Sequence, residues 1–232
     1  VEDYDKVDYA KAMEMYKDRF ADPNNFTFIF VGNIDVETFK PLVEQYLASL
    51  KKKNRKENWK DVGLGVAEGS YTTHYRKEMQ DPKTSVYMIY NGAMEYNLYN
   101  EVYMDVLSDV LDIVYTKSIR EEQGGTYGVG VMGTTMNRPN DAFMFYTVFD
   151  TNDEVYATLI DIAKAGLKDI AENGPRQEDL SKVLENKLKK RTEELQENGF
   201  WTSAIMSQVT DNMDVVTEYE NIIKGITVES VA

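Results

Sequence analysis

Between residues 96 and 121 apolar side chains recur every three or four positions, at Tyr99, Val102, Tyr103, Val106, Leu107, Val110, Leu111 and Val114. That period belongs to a long helix burying one side, and Gly124-Gly125 ends it. A pair of short alternating runs, joined by turn residues, lies on each side of this helix. Residues 70–78 and 84–91 flank Gln80-Asp81-Pro82-Lys83, and residues 126–136 and 141–149 flank Asn137-Arg138-Pro139-Asn140. Both pairs read as hairpins. A long helix between two hairpins restricts the fold to an antiparallel sheet with helices laid over a face.

The remaining segments extend this frame. Met13, Tyr16 and Phe20 recur at helical spacing around residues 7–19, and Pro23-Asn24-Asn25 interrupts them. Residues 26–32, Phe-Thr-Phe-Ile-Phe-Val-Gly, read as a strand buried on both faces. Asp35 is placed to cap a helix whose stripe runs through Val36, Phe39, Leu42, Val43, Tyr46, Leu47 and Leu50. Residues 51–69 open with a basic run and read as an exposed linker. Beyond the second hairpin the chain reads as helical over 153–172, restarts after Gly174-Pro175 over 176–196, and is helical again within 200–224. The expectation is one α+β domain over residues 1–232, its sheet mostly antiparallel with helices on one face. Because the chain begins at Val1 and stops in what reads as a starting helix, Thr227-Val228-Glu229-Ser230, it is expected to be cut from something longer.

Composition removes several function classes. No stretch approaches the roughly 20 apolar residues of a membrane span. Acids outnumber bases 40 to 26, a net charge of −14 that repels phosphate backbones and anionic lipid. Nucleic acid and membrane are therefore poor partners. The excess suits cationic peptides among partners, but an acidic surface that merely aids solubility is the favoured reading. There is no cysteine, and His74 is the single histidine. A catalytic zinc centre normally draws on two histidines, and a nucleophile triad needs a base beside it, so the usual hydrolytic apparatus is missing and no metal ligands are assigned.

The glycines of Gln123-Gly124-Gly125-Thr126-Tyr127-Gly128-Val129-Gly130 resemble a phosphate loop only in composition. Such loops run from strand to helix, whereas here a helix precedes a strand. Glu121, Glu122 and His74 read as surface residues that nothing positions for chemistry. Tyr87, Tyr90, Tyr96, Tyr99 and Tyr103 suit core edges, or alternatively an aromatic peptide groove. One combination stands out: Arg120 near a helix end, a glycine pair, and Tyr127 opening a strand. A guanidinium fork suits a carbonyl or carboxylate, and a phenol can donate to an oxygen gaining negative charge.

The segment Ile119-Arg120-Glu121-Glu122-Gln123-Gly124-Gly125-Thr126-Tyr127-Gly128-Val129 resembles the arginine and tyrosine motif in the C-terminal half of pitrilysin/insulinase-type (inverzincin) zinc metallopeptidases, and its double glycine resembles the bacterial subgroup. Phe20 to Asp35 and Gly174 to Leu184 are similar to other family segments in matching order. The resemblance implies one half-domain of the mitochondrial-processing-peptidase-like fold, in a clam of two homologous halves. It implies zinc in the N-terminal half, on an H-x-x-E-H motif this chain lacks, and that half as partner, in the same chain or another subunit. It assigns substrate binding to Arg120 and Tyr127, no catalytic residue to this chain alone, and a peptide as substrate. The parent is expected to be a zinc metalloendopeptidase, with periplasm favoured over cytoplasm, and this chain by itself to be inactive. The alternative is a catalytically inactive family member serving as a structural or partner subunit.

Overall fold

The computed structural model describes residues 3–63, 65, 68–121 and 123–232. Three strands, β1 (Thr84–Ala93), β2 (Val129–Met136) and β3 (Ala142–Thr151), form an antiparallel sheet in the order β1-β3-β2. The second hairpin forms as the sequence suggests, with Met136 opposite Ala142 across the turn. Register sorts side chains into two faces because successive residues point to opposite sides. Val86, Phe149 and Val129 make one row of the inner face, and Met88, Thr147 and Val131 the next.

The helices are α1 (Tyr9–Arg19), α2 (Val36–Tyr46), α3 (Leu98–Tyr115), α4 (Tyr156–Asn173), α5 (Gln177–Glu194), α6 (Asn198–Asp211), α7 (Tyr219–Gly225) and α8 (Val228–Val231). Asn97 caps α3 by accepting the Asn100 N–H at 2.8 Å. α3 lies along β2 while α4, α5 and α7 pack against it, so Val106, Val110 and Leu111 are wholly buried. Burying each such side chain contributes about 1.5–3 kcal/mol relative to leaving it in water. The buried set on α3 is wider than one stripe and includes Met104, Ser108 and Tyr115, because the helix is covered by helices as well as by the sheet. Tyr115 donates to the Ala163 carbonyl of α4 at 2.8 Å, and burial pushes its phenol above the usual range.

Gly174 turns the chain between α4 and α5 at φ +72°, where a Cβ would stand 2.8 Å from the Val228 carbonyl oxygen. Thr227 caps α8 in a reciprocal box with Ser230, confirming the helix start read from the sequence.

Two expectations are corrected, and one alternative reading falls. Residues 26–32 are not a paired strand: among the described residues they have no ladder partner, and Phe28 and Phe30 are exposed. Residues 70–78 do not pair with β1, so the first hairpin is absent; Tyr71 and Tyr75 both face solvent, giving the run no face to bury. The tyrosines do not gather into one groove, because Tyr87 is exposed on the outer sheet face while Tyr90 packs inward near Phe145.

Asp35 caps α2 as expected, accepting from Thr38 N at 2.9 Å. The apolar stripe of α2 nonetheless covers no core, and none of its residues is buried. α1 and the turn after it are tied to the 51–57 stretch. The buried Asp22 carboxylate accepts from the N–H groups of Arg55 (2.6 Å), Lys53 (3.0 Å) and Asn24 (3.1 Å), which together hold its pKa below the usual carboxylate range. Arg55 pairs with Asp18 and Glu57 at 2.9 and 2.5 Å.

Candidate substrate-binding turn

After Tyr115 the helical path widens into a π-type turn over Thr116–Glu121, a distortion that recurs at functional positions. Ile119 is fully buried there and fixes the turn against the core, so the next residue, Arg120, faces solvent. Gly124 N–H donates to the Arg120 carbonyl at 3.1 Å. Gly124 itself sits at φ +59°, in the left-handed region that ends helices.

The stretch from Gly125 to Val129 is fastened on three sides. A Cβ on Gly125 would come within 3.1–3.2 Å of Leu159 and Val155 side-chain carbons, so glycine lets the chain lie against α4 without displacing them. Thr151 donates its hydroxyl to the Gly125 carbonyl at 2.6 Å. Thr126 donates to the Gly128 carbonyl at 2.9 Å and accepts the Gly128 N–H at 3.2 Å, bridging Tyr127. Val129, buried at the start of β2, closes the segment. The consequence is a fixed backbone that holds the Tyr127 side chain entirely in solvent, at 100% exposure.

Arg120 and Tyr127 thus stand at the two ends of one pinned turn, each facing water. A cleft of about 350 Å³ between α3 and α5 is lined by Asp109, Asp112, Ile113, Lys182, Val183 and Asn186 and includes neither of them. Glu122 lies outside the described residues. Glu121 and His74 are exposed. No group of three or more His, Cys, Asp or Glu able to hold a metal occurs among the described residues.

Sequence reasoning missed the outer sheet face. Register places Tyr87, Val148 and Gly130 in one row and Ile89, Tyr146 and Met132 in the next. Tyr87, Ile89 and Met132 are each more than half exposed, so the face opposite α3 is apolar and uncovered. The signal was present: Val86-Tyr87-Met88-Ile89-Tyr90 is apolar at every position, although one covered face requires only every second one.

The class the fold defines is an α+β domain, a three-stranded antiparallel sheet with helices laid over one face. A family model described as the Peptidase M16 inactive domain matches residues 6–187, and the chain belongs to that family. It is 28% identical over 217 residues to the zinc protease PQQL-like protein of Arabidopsis thaliana, covering 87% of this chain and 22% of the relative. The structure of the periplasmic protease PqqL from Escherichia coli superposes with a TM-score of 0.77 at 20% identity, over 96% of this chain and 25% of that one. The first half of PqqL also matches, with a TM-score of 0.66 at 20% identity, over 94% of this chain and 50% of that one. The chain therefore spans about a quarter of the length of these full-length relatives.

Proposed function

We propose that this domain is the substrate-gripping, metal-free C-terminal half-domain of a two-half zinc metalloendopeptidase, in which Arg120 anchors the peptide backbone and Tyr127 donates to the scissile carbonyl. The observation that carries the reading is the fully exposed Tyr127 on a turn fastened to α4, β3 and its own neighbours. A turn fixed before substrate arrives leaves only the phenol's own rotamers to be ordered when negative charge develops on an oxygen, and positioned donors of this kind accelerate acyl transfer. Arg120, one turn-length away, offers a planar fork suited to a carbonyl or a carboxylate. The uncovered sheet face supplies apolar surface on which an extended peptide can lie.

In this reading zinc and its activated water belong to the homologous half, and the domain alone cleaves nothing. A peptide, not nucleic acid or membrane, is the substrate, and the periplasm is the expected compartment. Tyr127→Phe in the complete two-half protein tests the assignment. Turnover of a peptide substrate should fall about 10²–10³ fold while zinc content stays at the parental value. Parental turnover in the variant would remove Tyr127 from the mechanism.

A further inference from the structure

Residues 26–32 have the composition of a strand and the exposure of a loop. Phe26, Phe28 and Phe30 alternate along this stretch, and the Phe30 ring meets Phe39 of α2 edge-on at 4.9 Å. Phe26 in turn neighbours Phe20 and Phe28, at 5.7 and 6.1 Å. This stretch and α2 are therefore already packed on each other as a unit with a common aromatic side. Its outward surface is left bare: Phe28 and Phe30 are nearly half exposed, and Leu42 and Tyr46 at least as much. Neither α1 nor α2 makes a substantial contact with the sheet or with α3 to α8. An exposed, uncharged run of aromatic and β-branched residues with free backbone groups is a template for pairing with a sheet edge, and a contiguous apolar patch of this kind marks an interface.

Two observations identify what covers it. Relatives that match over nearly the whole of this chain are about four times as long, so any such protein carries further polypeptide joined to this segment. The same fold occurs in the first half of one of them, and in this fold β1 is an edge of the sheet. We propose that residues 26–32 add as an edge strand to a β-sheet in the adjoining part of the parent polypeptide, with α2 laid over the joint. The segment is thus a brace between domains, tied to the 51–57 stretch through Asp22. The inference shares with the proposed function only the premise of a longer parent and does not depend on Arg120 or Tyr127.

Hydrogen–deuterium exchange on the complete two-half protein and on the 232-residue chain tests it. Amides of Phe28, Ile29 and Phe30 should exchange at least ~100-fold more slowly in the complete protein, independent of protein concentration. In the complete protein, Phe28→Asp with Phe30→Asp should abolish this difference while leaving β3 protected. Equal exchange in the two proteins would overturn the proposal. Protection in the 232-residue chain that grows with its concentration would overturn it in favour of a second copy as the occupant.

Discussion

The Ser108 hydroxyl of α3 accepts the Gly133 N–H of β2 at 2.7 Å while donating to the Met104 carbonyl at 2.7 Å. A buried serine thus joins helix to sheet at a point where β2, as an edge strand, has no neighbouring strand to take that N–H. The approach is close enough that a Cβ on Gly133 would lie 2.8 Å from the Met104 methyl, 3.0 Å from Ser108 Oγ and 3.1 Å from the Met104 carbonyl oxygen. Gly133→Ala should cost about 1–3 kcal/mol by overpacking. Ser108→Ala should cost a similar ~1–3 kcal/mol by stranding the N–H. Urea unfolding followed by circular dichroism reads both, and wild-type stability in Gly133→Ala would show that α3 can move away from β2.

A second link joins α3 to α5. Lys187 is only 10% exposed and lies 2.6 Å from Asp105 and 2.7 Å from Asp109. Burial opposes its charge, but the hydrogen bonds to the two carboxylates outweigh burial and raise its pKa. A lysine raised on folding stabilises fully below its unfolded value of about 10.4, and that contribution is lost as pH climbs through the folded value. Lys187→Met removes one side of a pair whose acids are 54% and 43% exposed. The cost should be about 1–2 kcal/mol, below the range for fully buried pairs. Thermal melts from pH 7 to 11 should show a lower midpoint for the variant at neutral pH and a shallower fall at alkaline pH. Parallel curves would separate Lys187 from the alkaline transition.

The sequence was legible wherever one segment carries its own signal. The 3.6-residue period of α3, the Asp35 cap and the second hairpin around Asn137-Arg138-Pro139-Asn140 are local patterns, and each forms as read. The segments 26–32 and 70–78 carry strand composition too, but a strand exists only with a partner, and local pattern does not disclose whether one is at hand. At the candidate site, the ends of the turn were readable as Arg120 and Tyr127. What fastens the turn was not, because Leu159, Val155 and Thr151 reach Gly125 across more than twenty residues of sequence.

Glu101 gives a prediction of opposite sign. It sits in the first turn of α3, where the helix dipole favours a carboxylate, yet its Oε2 is buried with no hydrogen-bond partner among the described residues. Burial, then the neighbouring carboxylates of Asp105 and Asp211, raises its pKa. The folded state therefore keeps a proton that the unfolded chain releases above the ordinary glutamate value of about 4.3. Stability falls as pH rises from there through the folded pKa, and the penalty is constant above it. Glu101→Gln removes the charge but keeps the shape, so the variant should be more stable than wild type at pH 7 by about 1 kcal/mol. That advantage should vanish below pH 4, where both states of the wild type are protonated. Urea titrations at pH 7 and pH 3.5 measure both values. A variant less stable than wild type at pH 7 would mean that the dipole at the start of α3 outweighs the burial of the carboxylate.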